Sequence, residues 1–341
     1  MKKLLIFTLS IIGLLSCQKE KTNLTCERID YLVKTKQNVA KHYWGDFNRE
    51  TLFGPMLYYT KNGLYTINAN DKLKKKINII PYTCNNSDIA IGFSQKIDTT
   101  NLYMYVSYDH SDTMALEYKN TLGMFSDVEL IEKFIPDVKD TEEWASMVIH
   151  EMFHQYQRKF KKFRKRQLSS QSEFKRDTLN YFYKNQDWFN KSIKLENETL
   201  LKIIEESNKD SIKSYISKYL KDKNKRISMI KNEFGIDISE LEGSLSKSEG
   251  TGRYIEYCAK LHFKNSNNNQ ALLEIDNKYV ANRFKEYNLE QDNWMYNLGG
   301  GYYYSIGFNL TRVLEKLEID YQKTIFKENI SFDFYLNEYI K

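Results

Sequence analysis

Residues His150-Glu151-Met152-Phe153-His154 constrain this chain more than any other stretch. Their HExxH pattern predicts a helix, because residues four apart then lie one turn apart on the same face and both imidazoles reach one point. The flanks agree. Asp140 and Glu143 have capping-box spacing, which places a first helical turn between them. Trp144, Met147 and Val148 then supply an apolar face. Two of only five histidines fall in this pair. Two imidazoles so placed can hold one metal ion, and Glu151 beside them can take a proton from water at that ion. The plain alternative is two histidines at the core edge of an ordinary helix.

Around this helix the chain divides into regions. Residues 18–50 read as a tether running into a first helix. Strand signals follow from residue 51. Residues 56–59 and 64–67 flank Lys61-Asn62-Gly63, and Asn62-Gly63 predicts a type I′ hairpin turn. Further strand-like runs occupy residues 89–93, 102–108 and 113–118, so 51–140 forms a Tyr-rich, mostly antiparallel subdomain. From about residue 140 the pattern is helical. Residues 158–238 carry apolar positions at helical spacing, as in Leu200, Leu201, Ile204, Tyr215 and Tyr219, and read as a helical insertion. A helix is expected from near Ser239 past Glu256, and another over residues 302–317. Proline numbers 3 in 341 residues, which excludes Pro-rich linkers. The net charge of +6, from 51 basic and 45 acidic side chains, does not by itself argue for nucleic acid.

The N-terminus reads as an address. Met1-Lys2-Lys3 is basic, residues 4–15 form an apolar stretch too short to span a bilayer comfortably, and Leu14-Leu15-Ser16-Cys17 follows. This resembles the lipobox of bacterial lipoproteins, in which the cysteine becomes the lipidated N-terminus; the resemblance implies removal of residues 1–16 and lipidation at Cys17. Gln18-Lys19-Glu20-Lys21 resembles, briefly, the charged tag of surface lipoproteins of Bacteroidetes type. The expected location is the cell envelope, anchored to the outer membrane by lipid and open to surface exposure. Cys26, Cys84 and Cys258 remain, so at most one disulfide forms and one thiol is left over.

A catalytic zinc takes three protein ligands and one open position. Gln157 and Phe160 stand where the metzincin pattern needs Gly and His, so that class is excluded. A glutamate is the remaining option. Glu173 follows His154 with eighteen residues between, a spacing found in zinc aminopeptidases, but its neighbours carry no supporting pattern. Glu249 opens Glu249-Gly250-Thr251-Gly252-Arg253-Tyr254-Ile255-Glu256. This resembles the Glu-Gly-x-Ala-x-Tyr-x-Glu helix of gluzincin metallopeptidases, the aminopeptidase N and leukotriene A4 hydrolase-like group. The resemblance implies a thermolysin-like α+β catalytic domain, Glu249 as third zinc ligand, and Glu256 as a partner that orients a ligating histidine. Gly250 and Gly252 would let this helix approach the HExxH helix closely. A salt bridge is an equal alternative for Glu256, and a structural role is expected for Glu242.

Tyr304-Ser305-Ile306-Gly307 resembles the Tyr-x-x-Gly of the same group, whose tyrosine hydroxyl stabilises the tetrahedral intermediate; Tyr303 is the alternative. The Gly-x-Met-Glu-Asn edge strand of its exopeptidases has only a partial counterpart in Met114-Ala115-Leu116-Glu117, which leaves Glu117 a weak candidate for holding a substrate amine. The basic run at residues 158–166 reads as a solvated helix face. His42, His110 and His262 are isolated; His262 stays of interest because it lies on or just past the Glu249 helix. The expectation is a monomeric, membrane-anchored zinc metallopeptidase with His150, His154 and Glu249 on the metal, Glu151 as base and Tyr304 as oxyanion donor, acting on a peptide or protein and not on nucleic acid. The competing expectation is a non-catalytic surface lipoprotein that binds peptide or glycan.

Overall fold

The computed structural model describes residues 23–48, 54–77, 79–84, 91–94, 102–107, 121–173, 176–285 and 301–341. Cys17, His110, Glu117 and the strand-like run at 113–118 lie outside them. Among the described residues no helix is long and apolar enough to cross a membrane.

Helix α1 (Leu24–Tyr43) begins where the Asn23 carboxamide oxygen accepts the Thr25 and Cys26 amides. A 3-10 turn (Gly45–Asn48) leads towards the sheet. Strands β1 (Met56–Thr60), β2 (Gly63–Ile67), β3 (Ile80–Tyr82), β4 (Ile91–Ser94), β5 (Met104–Ser107) and β6 (Leu122–Ser126) form one sheet of order β3-β4-β2-β1-β6-β5, with α2 (Asp71–Lys76) between β2 and β3. All its pairings are antiparallel except β1 with β6. The two central strands are buried on both faces, which is why they read as continuous apolar runs and not as an alternation. Met56 and Tyr58 of β1 belong to the main core, while Leu57 and Tyr59 join Leu64, Leu73, Tyr103, Leu122 and Met124 on the far face.

The β1–β2 hairpin exists, but its turn is not the expected one. Thr60 pairs with Gly63, so Lys61 and Asn62 form the turn, and neither has positive φ. The Thr60 hydroxyl holds the turn instead, accepting the Asn62 amide at 3.1 Å and donating to the Gly63 carbonyl at 3.0 Å. Gly63 serves packing: a side chain there would run into the Phe93 ring on β4.

Helices α3 (Val128–Phe134) and α4 (Thr141–Gln157) follow the sheet. Asp140 caps α4 as expected, accepting the Glu143 amide at 2.9 Å. Trp144 and Val148 of α4 are buried, Met147 partly so. Trp144 fastens the helix to the sheet through Nε1–H to the Ser126 carbonyl at 2.8 Å, with its ring among Tyr58 and Phe125.

The insertion is helical, as its composition predicts: α5 (Lys161–Glu173), α6 (Arg176–Asn185), α7 (Asp187–Glu205) and α8 (Lys209–Phe234), the last ended by Gly235 in the left-handed conformation. Leu200 lies in the buried stripe of α7 as expected, but its companions are Phe189, Ile193, Glu196 and Ile203, while Leu201 and Ile204 are only partly buried. Glu196 is buried because Arg226 of α8 binds it, Nε to Oε1 at 2.6 Å and Nη2 to Oε2 at 2.9 Å. The chain then enters α9 (Ser239–Asn265), α10 (Gln270–Ile275), α11 (Tyr302–Lys316) and α12 (Phe332–Ile340).

Helix α9 is the axis of the molecule. It packs on α4, α1, α5 and α11, and even its glutamates, lysine side chains and arginine are buried along most of its length. Arg226 also binds Glu242 of α9 bidentately at 2.7 and 2.9 Å, and Tyr302 of α11 donates to Glu242 at 2.6 Å. Glu242 is thus structural, as expected. A charged group can be buried on these terms because its lone pairs are satisfied. The architecture is α+β: one small mixed sheet on α4, followed by a helical remainder.

Candidate metal centre

Helix α4 presents His150 and His154 one turn apart, and α9 presents Glu249 opposite them. All three side chains are buried. His150 Nε2 and His154 Nε2 stand 3.0 Å apart, His154 Nε2 and Glu249 Oε2 3.2 Å, and His150 Nε2 and Glu249 Oε2 3.8 Å. Among the described residues this is the group whose ligand atoms converge as a metal site requires. Of the two glutamates considered for the third position, the structure brings Glu249 to the histidines. Glu173 closes α5, and its side chain lies outside what is described.

The two glycines after Glu249 have separate tasks. Gly252 faces α4, as expected: a Cβ there would lie 2.8 Å from His150 Nε2. Gly250 faces α11 instead, where a Cβ would run into the Gly307 backbone, and a Cβ on Gly307 would strike the Ser246 carbonyl. The close crossing that Gly250 permits is therefore with α11, not α4. Gly307 of the Tyr-x-x-Gly stretch is the other half of that crossing.

Each histidine has a partner on its second nitrogen. His150 Nδ1 lies 3.3 Å from Glu256 Oε2, one of the roles expected for Glu256. This is a charge contact more than an aligned hydrogen bond. Burial raises the Glu256 carboxyl, but Arg253, Lys260 and His150 outweigh it and hold the group well below the usual carboxylate range. Arg253 is in direct contact with Glu256, and Lys260 Nζ lies 3.5 Å from it. His154 Nδ1 lies 2.9 Å from the Gln157 carboxamide oxygen. The Gln157 amide donates onward to the Ser248 carbonyl at 2.9 Å and to Thr251 Oγ1 at 2.8 Å, both on α9. Gln157, Arg253 and Lys260 are site residues that pattern reading missed. Their helical offsets were the available signal: Gln157 stands three after His154, and Arg253 and Lys260 stand three before and four after Glu256.

The centre favours positive charge. Burial pushes His150 down, yet Glu249 and Glu256 more than offset this and its pKa is pushed up to about 9. An outer nitrogen of each ring lies near an acceptor, so once the His150 proton leaves, both Nε2 atoms and the Glu249 carboxylate can bring lone pairs to one point. Three acceptors converging in a buried site call for a cation. Tetrahedral zinc with ligands at about 2.0–2.1 Å needs them about 3.3 Å apart, and the observed edges bracket that value. Two imidazoles and a carboxylate also suit zinc chemically. The donor set therefore fits the ion.

Glu151 follows His150 directly, is half-buried, and its charge acts on His150. Tyr304 is partly buried at the start of α11. Its ring stacks on the buried Tyr303 at 5.1 Å and lies 5.4 Å from the Arg253 guanidinium, which joins it to the Glu256 end of the centre. His262 is on α9 but thirteen residues past Glu249, about 20 Å along the helix, and belongs to another place. His42 hydrogen-bonds the Asn38 carbonyl. The basic run behaves mostly as expected: Lys161, Lys162, Arg164 and Lys165 are exposed, whereas Arg158 turns in to the Val106 carbonyl of β5.

No protein-family model, curated protein or solved structure matches this chain.

Proposed function

We propose that this chain is a zinc-dependent metallopeptidase of gluzincin type, carried to the cell envelope as a lipoprotein. One observation carries the reading: three buried acceptor atoms, from an HExxH helix and a Glu-Gly helix ninety-five residues apart, form a triangle with the edges of a zinc ligand set. A zinc ion would supply a Lewis acid that polarises the scissile carbonyl and lowers the pKa of the attacking water towards ~7.

The protein's own groups do the rest. Glu151 accepts the proton of the attacking water and delivers it to the leaving amine nitrogen. Glu256 keeps the His150 ring oriented, held in its ionised form by Arg253 and Lys260. Tyr304 donates from its hydroxyl to the oxygen that gains charge on the scissile carbonyl. Burial around the ligands lowers the local dielectric, which strengthens each of these interactions. The lipid on Cys17 would hold the domain at the membrane.

The test is the metal content of the purified protein beside Glu249→Ala, by elemental mass spectrometry, followed by cleavage of a peptide library. About one zinc per wild-type chain, much reduced in the variant, together with peptide cleavage, is the expected result. No zinc after loading would overturn the reading and favour the non-catalytic binding lipoprotein. Zinc without cleavage of any peptide would move the activity to another amide or ester.

A further inference from the structure

The two metal-facing histidines are supported unequally: His150 by a carboxylate clamped between two cations, His154 by a neutral carboxamide. The hydrogen bonds around that carboxamide have a single consistent sense. The Ser248 carbonyl can only accept, so the Gln157 nitrogen must face it, at 2.9 Å. The Gln157 oxygen therefore faces His154 Nδ1, at 2.9 Å. That oxygen can only accept, so Nδ1 must carry the proton. A neutral ring with its proton on Nδ1 has its lone pair on Nε2, the atom that faces Glu249 and His150.

The neighbours on the carboxamide side close the network. Gln167 of α5 donates to Ser248 Oγ at 3.1 Å, which leaves the Ser248 hydroxyl proton to go to the Gln157 oxygen at 3.2 Å. Thr251 Oγ1 accepts from Gln157 and donates to the Lys247 carbonyl at 2.7 Å. Gln157, Gln167, Ser248 and Thr251 are all buried, so no solvent competes for these bonds. Ser248 and Thr251 flank Glu249 on its own helix, so the same amide ties the turn that presents Glu249 to the helix that presents His154.

We infer that Gln157 is a positioning residue of the metal centre: it fixes His154 in the Nδ1–H tautomer and so presents Nε2 to the ion. The inference deepens the metallopeptidase reading and rests on it: without an ion the Glu249 carboxylate, 3.2 Å from Nε2, is a second acceptor competing for the ring proton, and the ion removes that competition. A neutral acceptor also leaves His154 a weaker donor to the ion than a carboxylate partner would, which keeps the ion more electrophilic.

The experiment is long-range proton–nitrogen correlation NMR on the full chain with labelled histidine, loaded with zinc, beside zinc affinity by chelator competition. Five histidines keep the spectrum tractable. The wild type is expected to show His154 bound through Nε2 with a slowly exchanging Nδ1 proton. Gln157→Leu removes the acceptor and is expected to speed that exchange and to bind zinc about 10–100-fold more weakly. Gln157→Glu keeps an acceptor and is expected to keep the slow exchange, which covers the case in which the leucine variant fails to fold. A folded leucine variant with unchanged exchange and affinity overturns the inference. Equal loss of the slow exchange in both variants also overturns it, since it reduces Gln157 to helix packing. A wild type that binds no zinc overturns the metal reading and the inference with it, whereas zinc bound with His154 coordinated through Nδ1 overturns the inference alone.

Discussion

Gly252 lies directly beneath the His150 ring, so close that a single added methyl would sit 2.8 Å from the nitrogen that faces the other ligands. For Glu249, three residues earlier, to reach the point where His150 and His154 converge, α9 has to pass this near the His150 ring. Gly252→Ala is therefore expected to push the His150 ring aside and weaken zinc binding at least about tenfold, an effect of the size caused by disturbing ligand orientation. Chelator competition reads the affinity. Unfolding in urea should move little, because one flexible ring absorbs the displacement.

Gly250→Ala should behave in the opposite way. Its methyl meets the Gly307 backbone, which cannot turn aside as a ring can. Overpacking of this kind costs about 1–3 kcal/mol or more. The urea midpoint should fall clearly, and zinc binding should fall only with the folded fraction. Two alanines two residues apart thus separate the metal site from the helix crossing, and equal behaviour would contradict the assignment of their faces.

Glu151→Gln should retain zinc at wild-type stoichiometry and lose peptide hydrolysis by about 10²–10⁴-fold or more, since a carboxamide cannot accept the proton. Elemental analysis and a fluorogenic peptide assay on the same preparation check both halves. Wild-type turnover in this variant would remove Glu151 from the mechanism.

Glu142, at the start of α4, gives a pH dependence with a definite sign. Burial first, and the neighbouring Glu143 next, push its carboxyl up to about 7 despite the Tyr31 hydroxyl nearby. The folded chain therefore holds this proton more tightly than the unfolded chain. Stability is fully present below the ordinary value of 4.5, falls as pH rises through 7, and is constant above. Glu142→Gln should remove that slope. The difference between wild type and variant should amount to about 2–3 kcal/mol in favour of the variant at pH 8, and vanish near pH 4. Urea titrations at both pH values measure it, and a difference independent of pH would refute the assignment.

The disulfide between Cys26 and Cys84 joins α1 to the segment after β3 across fifty-eight residues. A cross-link of that span stabilises by roughly 4 kcal/mol through the unfolded chain. Reduction should lower the urea midpoint accordingly, while Cys258, buried and with its thiol pKa raised by burial, should label only on unfolding. Mass-spectrometric thiol counting under native and denaturing conditions tests both statements.

What could be read from sequence followed physical rules that act locally. The α4 cap at Asp140 is set by nearby residues, and the starts of α9 at Ser239 and α11 at Tyr302 stand where patterns place them. In α7 the pattern places Leu200 correctly but not Leu201 and Ile204, because Glu196 reads as solvent-facing until Arg226, thirty residues away, takes it inside. Asn62-Gly63 predicted a turn that Thr60 made by another route, since Gly63 was needed under Phe93 of a strand not adjacent in sequence. The ligand triangle was legible as three residue types at two motifs. The second nitrogens were legible only in part. Glu256 came with its motif, whereas Gln157 acquires its role only when α9 lies against it.

The separation of the ligands along the chain has a temporal consequence. A nascent chain that has released α4 carries His150 and His154 but no third ligand, and it gains Glu249 only after all of α5 to α8 has emerged and folded back. Closing a loop of ninety-five residues is a late event, because its entropy is recovered only when the intervening helices are already compact. The insertion thus acts as a clock. On the proposed function, a partly made chain would lack the means to cut other unfolded polypeptides, and competence would arrive together with the finished fold.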